Sequence, residues 1–551
     1  MDIADLKNTF MQKQTLSRQN IAVRDWLPIT ALIGLGLILR FYQLTTESLW
    51  TDEMLSVRDA EEFQLEIPYV RPVYYILLKF WMHTGTSDGW LRVPSVLLGA
   101  ASIFLIYWLG RQLISSSVGL LAAFAMAVSP LFINHSQEVR MYSLIVFLSL
   151  AGTLALSYFF EKPRYSFLII WAICRIGLIL STSNTVLILV PDTILMFWMF
   201  RRKLQWLLAS GIAMSLVGIT FIPPFWALTH GSVAGNFMNQ VGSYPKPGLL
   251  QVVGMITQLT VYWPLRYLFS QLDRAALTDG DLGDQSLIEN LVASGSLPLL
   301  LYAGFTVVLF CLLGISLFAL TRPELRSKQL CWLTAWAIIP TMGMLWVSYT
   351  KGSIWFPRYL LFVTPYYLLL MGAGFMAIWN WKRKLAVAIT LAYIIGAFGG
   401  LKDYYTVMYR NDWKGVAQYL ESNAQPGDTL IYYSFPGLKD ESLPRYYEGI
   451  PINFVNRDRT KELDEPTIDK YLGPVLPVES RLWFVCWTLC RDRNGIERLF
   501  NVAFDEDYQI AGQSSDVAKP TKTFRSLETN AVEVFLVTPS EDGSADRPNT
   551  P

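Results

Sequence analysis

Apolar residues in this chain fall in long blocks, each about 15 to 22 residues, separated by short polar stretches. A helix rises 1.5 Å per residue and the hydrocarbon core of a bilayer is roughly 30 Å thick, so blocks of this length suit membrane-spanning helices. Their approximate limits are 26–43, 92–113, 117–133, 142–160, 166–182, 185–200, 204–222, 297–320, 329–348, 359–379 and 385–401. The pattern predicts a polytopic α-helical membrane protein with about eleven transmembrane helices.

Three longer stretches do not fit the span pattern. Residues 45–91 contain the amphipathic run "RPVYYILLKFW", which reads as an interfacial helix rather than a span. Residues 223–296 contain a second aromatic run, "QLTVYWPLRYLFSQ". Residues 402–540 change character: "GVAQYLES" has helical spacing, while "DTLIYYSF", "RLWFVCW" and "AVEVFLVT" are short β-rich runs. A small soluble α/β domain is expected there. The tail 541–551 is polar and Pro-rich and reads as disordered.

Charge then orients the chain. Lys7, Lys13, Arg18 and Arg24 precede the first span, and "RRK" at 201–203, "TRPELRSK" at 321–328 and "WKRK" at 381–384 follow later ones. Loops rich in Lys and Arg face the cytoplasm. Residues 1–25 are therefore expected inside, 26–401 form the membrane domain, and loops 45–91 and 223–296 and the C-terminal domain lie outside. This predicts a multi-pass protein of the plasma (inner) membrane. The polar N-terminus gives no cleaved signal peptide. Only 16% of residues are charged and the net charge is +1, which argues against a nucleic-acid partner. Cys174, Cys311 and Cys331 fall in apolar blocks and read as small core residues. Cys486 and Cys490 are too far apart to bridge on one extended strand but within reach on a turn.

Candidate chemistry sits on the outer side. In "ESLWTDEMLSV", Asp52 and Glu53 follow the first span directly. Thr51 as an N-cap with two acids in the first turn is the ordinary explanation. A second acidic site, "NHSQEVRMYSL", carries Glu138 and Arg140 at the same expected depth. Arg71, Arg92, Arg266, Lys351 and Arg358 also fall outside, against the positive-inside bias. Each either snorkels to headgroups or binds a phosphate. Arg71 and Arg358 abut the aromatic stretches "YVRPVYYILLKFW" and "GSIWFPRYLLFVTP". Carboxylates, phosphate-binding cations and adjacent lipid fit one reaction type: transfer of a sugar from a lipid phosphate to an acceptor hydroxyl or amine.

Four stretches carry a resemblance. "LRFYQLTTESLWTDE", "RPVYYILLKFWMHTGTSDGWLRVPSVLLGAASIFLIYWLGRQL", "HSQEVRMYSL" and "FPRYLLFVTPYYLLL" resemble, in order, motifs of the GT-C membrane glycosyltransferases. The nearest resemblance is to bacterial relatives of the protein O-mannosyltransferases and of the lipid A aminoarabinose transferase. It implies a polyprenyl-phosphate-sugar donor, a glycan, lipid or protein acceptor, and inversion at the anomeric carbon. It implies that Asp52 is the catalytic acidic position with Glu53 beside it, and that Glu138 is the second acidic position. Arg71 and Arg358 match lipid-phosphate contacts, with Arg140 a further candidate. Leu55 and Val70 depart from the aminoarabinose branch, which carries Arg and an acid there, and Asn184 stands where many relatives carry His, so neither a metal site nor an aminoarabinose donor is expected, and no cofactor is expected. The rival expectation is a secondary transporter or flippase, which would need ionisable groups near the midplane; Arg175 is the main candidate.

Overall fold

The computed structural model describes residues 23–63, 71–230, 246–260, 296–321, 327–351, 354–406, 410–434, 442–456, 481–487, 508–510, 521–524 and 532–539. Arg266, Val70, Cys490 and the tail 541–551 lie outside these residues. The chain divides into two compact units: one of 1–44 and 56–403, the other of 45–55 and 404–551.

The first unit is helical. Its elements are α1 (Val23–Phe41), the greater part of α2 (Thr51–Glu61), α3 (Pro72–Met82), α4 (Asp88–Leu113), α5 (Ser116–Val128), α6 (Pro130–Ser136), α7 (Tyr142–Glu161), α8 (Tyr165–Ile179), α9 (Leu189–Phe200), α10 (Leu204–Ile219), α11 (Ile222–His230), α12 (Leu249–Thr260), α13 (Ser296–Thr321), α14 (Lys328–Thr350), α15 (Thr364–Trp381) and α16 (Arg383–Thr406). A 3-10 turn at Ser183–Ile188 leads into α9, and another at Pro357–Leu360 precedes α15. Among the described residues, seven helices are long and apolar enough to cross a membrane. Together they make this a polytopic helical membrane protein.

The stretch expected as one span at 117–133 is broken. Helices α5 and α6 meet at 61°. Pro130 has no N–H to continue the α5 ladder, and Ser129 before it takes an extended ψ of 119°. α6 then lies close against α4: a Cβ added at Gly99 would collide with Ser136. α3 buries Tyr74, Tyr75 and Leu78 while Leu77 and Phe80 stay exposed. Of the three cysteines read as core residues, Cys174 is buried, Cys331 is half-buried and Cys311 is exposed. Lipid tails are as apolar as a protein core, so an apolar block does not say which of the two a side chain meets.

One polar network crosses the interior of this unit. Arg175 on α8 pairs with Asp192 on α9 at 2.7 Å, and both side chains are fully buried. Trp171 and Trp336 donate their indole N–H groups to Asp192 at 2.9 and 2.8 Å. Arg175 also donates to the Ser149 carbonyl and to Thr153 Oγ1. The Tyr366 hydroxyl completes it, 2.7 Å from Thr153 Oγ1. Five helices, α7, α8, α9, α14 and α15, thus share one hydrogen-bonded knot. A charge pair removed from water persists only with such partners.

Among the described residues, the second unit is a mixed sheet with the helix α17 (Trp413–Asn423) on it. The strands are β1 (Thr429–Ser434), β2 (Ile452–Asn456), β3 (Leu482–Trp487), β4 (Tyr508–Ile510), β5 (Lys522–Phe524) and β6 (Val532–Pro539). Their order is β2-β1-β3-β6-β4, with β5 also on β6. β1 pairs parallel with β2 and β3, and β6 runs antiparallel to β3. Cys486 lies on β3 opposite Glu533. α17 buries Trp413, Val416, Ala417 and Leu420 against Leu430, Tyr432, Trp483 and Val534, the one-sided stripe its spacing implies. Asp412 caps it by accepting from the Gly415 N–H at 2.8 Å. The turn into β1 places Gly427 at φ 97°, a left-handed conformation that side chains resist. Next to it, burial pushes the Asp428 carboxyl up. Hydrogen bonds from Arg481, the Gln425 N–H and the Trp483 indole outweigh that and hold it below the usual carboxylate range.

Candidate active site

The chain leaves the first span through a clamped turn. Gln43 takes a left-handed φ of 55°, which costs a non-glycine residue roughly 1–2 kcal/mol. The carbonyls around it find donors from distant helices. Gln137 Nε2 donates to the Arg40 and Tyr42 carbonyls at 2.9 and 2.8 Å. Arg92 Nη1 donates to the Leu44 carbonyl at 2.7 Å. The Arg40 carbonyl is one that the helix end leaves without an intrahelical partner, and those of Tyr42 and Leu44 belong to the turn after it. Arg92, read from sequence as a snorkelling or phosphate-binding group, is instead buried and bonded to this turn. Arg40 is fully buried and donates to Ser136 Oγ and to the Ala127 and Met126 carbonyls at the end of α5. Motif residues at 40–44 and 136–137 therefore hold one another.

Glu138 follows directly. It is buried, and its Oε2 lies 3.1 Å from His135 Nδ1. The His135 ring packs against Tyr142, 4.6 Å between centroids. A cavity of about 10 Å³ lies alongside, lined by Arg40, Ser102, His135, Ser136, Tyr142 and Ser143. It has room for about one water and not for a sugar.

Tyr142 is buried, and the charges of Arg358, Arg140 and Arg71 reach its hydroxyl. Arg140 lies over the Tyr142 ring at 5.9 Å and donates to Ser56 Oγ at 2.9 Å. Arg358 lies against two rings, 5.3 Å from Tyr359 and 5.6 Å from Phe356. Its turn is tied down by Asn184, whose Nδ2 donates to the Tyr359 carbonyl at 2.8 Å. Arg71 stands at the start of α3, where Pro72 begins the helix. Tyr75, one turn on, has its hydroxyl pushed up by burial, against the opposing charge of Arg71. It stays neutral near pH 7 and hydrogen-bonds Asp59. The first unit thus brings together Arg71, Arg140 and Arg358, with Glu138 on the same motif as Arg140.

Asp52 and Glu53 belong to the second unit. The Met54 N–H bonds the Trp50 carbonyl at 3.0 Å, so Trp50, not Thr51, holds the cap position of α2. Glu53 is fully buried, and its Oε2 accepts the Trp50 N–H at 3.2 Å. That is the acidic half of a capping box. Arg410 Nε lies 3.8 Å from the same oxygen. Asp52 is half-buried. The two neighbouring acids are therefore not equivalent: Glu53 is committed to the helix start.

Sequence reasoning missed His135, Tyr142, Asn184 as a turn clamp, Asp192 and Arg410. For the first two the signal was present, since His135 and Glu138 are three residues apart and Tyr142 closes the same motif. Asp192 and Arg410 carried no local signal. Among the described residues no three His, Cys, Asp or Glu side chains converge.

A family described as dolichyl-phosphate-mannose-protein mannosyltransferase matches residues 68–227. The ArnT of Cupriavidus metallidurans, solved with undecaprenyl phosphate bound, superposes with a TM-score of 0.53. The match covers 93% of this chain and 98% of that one at 13% identity. The fold is that of the GT-C membrane glycosyltransferases. AglB of Archaeoglobus fulgidus, in complex with an inhibitory peptide and a dolichol-phosphate, gives a TM-score of 0.52 at 13% identity, over 88% of this chain and 71% of that one. In sequence, "Putative mannosyltransferase YycA" of Bacillus subtilis (strain 168) is 24% identical over 181 residues, 33% of this chain. The aligned part spans 26% of that protein's length. The family match takes in Arg71, Glu138 and Arg140; Asp52, Glu53 and Arg358 lie outside it.

Proposed function

We propose that this chain is a membrane glycosyltransferase that moves a sugar from a polyprenyl-phosphate donor to an acceptor hydroxyl or amine on the extracytoplasmic side. The observation that carries the reading is the motif that sets Arg140 over the Tyr142 ring and Glu138 beside His135, with the charges of Arg71 and Arg358 also reaching that phenol. Like charges gathered at one place favour a ligand of opposite sign, and Arg is suited to the oxygens of a phosphate. A GT-C fold whose solved relatives include one bound to undecaprenyl phosphate supports the same ligand class.

The chemistry follows. Asp52 takes the proton of the acceptor nucleophile as it attacks the anomeric carbon. The bond to the lipid phosphate breaks, and the arginines balance the charge left on that phosphate. A single displacement inverts the anomeric centre. Glu138, with His135 behind it, assists in organising the acceptor. The protein sits in the plasma membrane with about eleven spans, N-terminus inside, and the α/β domain of 402–540 outside. A transporter would need a charge poised to change partners; Arg175 is instead bonded on several sides, which favours the enzyme.

The test is a transfer assay on purified protein in lipid with polyprenyl-phosphate sugars. Asp52→Asn keeps the side-chain size but removes the base. Turnover should fall by about two to four orders of magnitude, with the thermal midpoint near the parent's. Near-parental turnover overturns the assignment of the base.

A further inference from the structure

The stretch 45–55, which carries the acidic pair, lies about 350 residues before the α/β domain, yet it clusters with that domain rather than with the first span it follows. The contacts are specific and distributed along the whole stretch. Lys414 Nζ donates to the Thr45 carbonyl at 2.8 Å, and the Lys414 backbone N–H donates to Ser48 Oγ at 3.0 Å. The Leu49 N–H donates to the Tyr446 hydroxyl at 2.8 Å. The Lys414 ammonium sits 5.5 Å from the centre of the Tyr446 ring, so the two anchors also hold each other.

Arg410 completes the arrangement. It precedes α17 and is 3% exposed. Its Nη1 lies 3.5 Å from Glu47 Oε2 and its Nε lies 3.8 Å from Glu53 Oε2. One guanidinium therefore spans the stretch from its entrance to the first turn of α2. Glu53 in turn accepts the Trp50 N–H and fixes where the helix starts. Asp52 lies between these two fixed points, on a backbone whose neighbours on both sides are bonded.

We propose that Arg410 is a positioning residue for Asp52, and that the α/β domain serves catalysis by holding the helix start that carries the base. Glu53, in this arrangement, transmits the constraint and does not touch the reacting atoms. The physical case is that a base must meet the acceptor proton within hydrogen-bond reach, and a displacement of about 1 Å can cost roughly a hundredfold. A buried guanidinium shared by two carboxylates resists that displacement better than a free loop. The inference rests on the assignment of Asp52 as the base.

The experiment compares Arg410→Gln, Arg410→Lys, Glu53→Gln, the double variant Arg410→Gln/Glu53→Gln, and Tyr446→Phe, with Asp52→Asn as control, all in the full chain in lipid. Arg410→Gln and Glu53→Gln should each lower kcat about ten- to a hundredfold, with the donor KM within about twofold of the parent. The double variant should be no worse than the poorer single one, because both break the same link. Arg410→Lys, which keeps the charge, should recover most of the loss. Tyr446→Phe removes one hydroxyl and should lower kcat several-fold at an unchanged thermal midpoint. Parental kcat in Arg410→Gln and Glu53→Gln, or multiplicative losses in the double variant, overturns the proposal. If Arg410→Gln does not accumulate, Glu53→Gln and Tyr446→Phe decide by the same criterion: lowered kcat supports the proposal and parental kcat overturns it. An active Asp52→Asn would overturn the base and this inference together. An inactive Asp52→Asn beside a fully active Arg410→Gln would remove only the inference.

Discussion

Two clusters in the membrane unit that contain arginine differ in kind. Arg175 faces Asp192 and shares its remaining donors among Ser149 and Thr153, while two indoles saturate the carboxylate. Charge and hydrogen bonds close within the protein. Around Tyr142, the charges of three arginines reach one phenol. The difference teaches how to read charge in a membrane helix bundle. A matched pair with its lone pairs filled reports architecture, whereas a gathering of like charges reports something to be bound.

Breaking the closed cluster should have the largest effect. Asp192→Ala leaves Arg175 buried without its counter-charge, a change that costs roughly 3–5 kcal/mol in buried pairs. The expected outcome is a marked fall in the thermal midpoint and in yield, with the donor KM of the surviving folded protein unchanged. A donor KM shift without loss of stability would make this cluster part of the site and dissolve the contrast.

The open cluster should respond the other way. Arg358→Gln and Arg71→Gln each remove a charge-assisted contact worth about 1.5–3 kcal/mol. Apparent donor affinity should fall roughly tenfold or more, while the thermal midpoint stays near the parent's. Unchanged donor kinetics in both would assign these arginines to lipid headgroups.

The smallest effect lies in the α/β domain. The folded Asp428 carboxyl titrates below its unfolded value, about 3.9. Its contribution is therefore present above that value and is lost as pH falls through the lower, folded one. Arg481 is partly exposed, so the contribution is under about 1 kcal/mol. Thermal midpoints of the parent and Asp428→Asn should differ slightly at neutral pH and converge below about pH 4. A gap that widens on acidification would reverse the sign.

Much of the fold was legible because its signal is local. Each apolar block expected as a span overlaps a helix, and the stripe Trp413, Val416, Ala417 and Leu420 on α17 faces a sheet. The break at Ser129–Pro130 also had a local cause, although the block around it was read as one span. The site was legible in part. "HSQEVRMYSL" pointed to Glu138 and Arg140, and the aromatic stretches pointed to Arg71 and Arg358. Their convergence on Tyr142 was not readable, because Arg71, Tyr142 and Arg358 are separated by long stretches of chain. Arg92 was misread for the same reason: its partner is the Leu44 carbonyl, a backbone group that no residue pattern marks.

The sequence by itself determined which segments are long and apolar enough to cross a membrane. Hydrophobic length acts residue by residue, and hydration free energy does not depend on distant neighbours. It also determined which residue types are available for chemistry. Only the tertiary structure decided what each charge does. It closed Arg175 on Asp192, gathered three arginines on Tyr142, and gave Glu53 to Arg410 and the Trp50 N–H while leaving Asp52 half-buried. Electrostatic interaction falls with distance and is screened by water, so the role of an ionisable group is set by what folding brings within a few ångströms and by the water it removes.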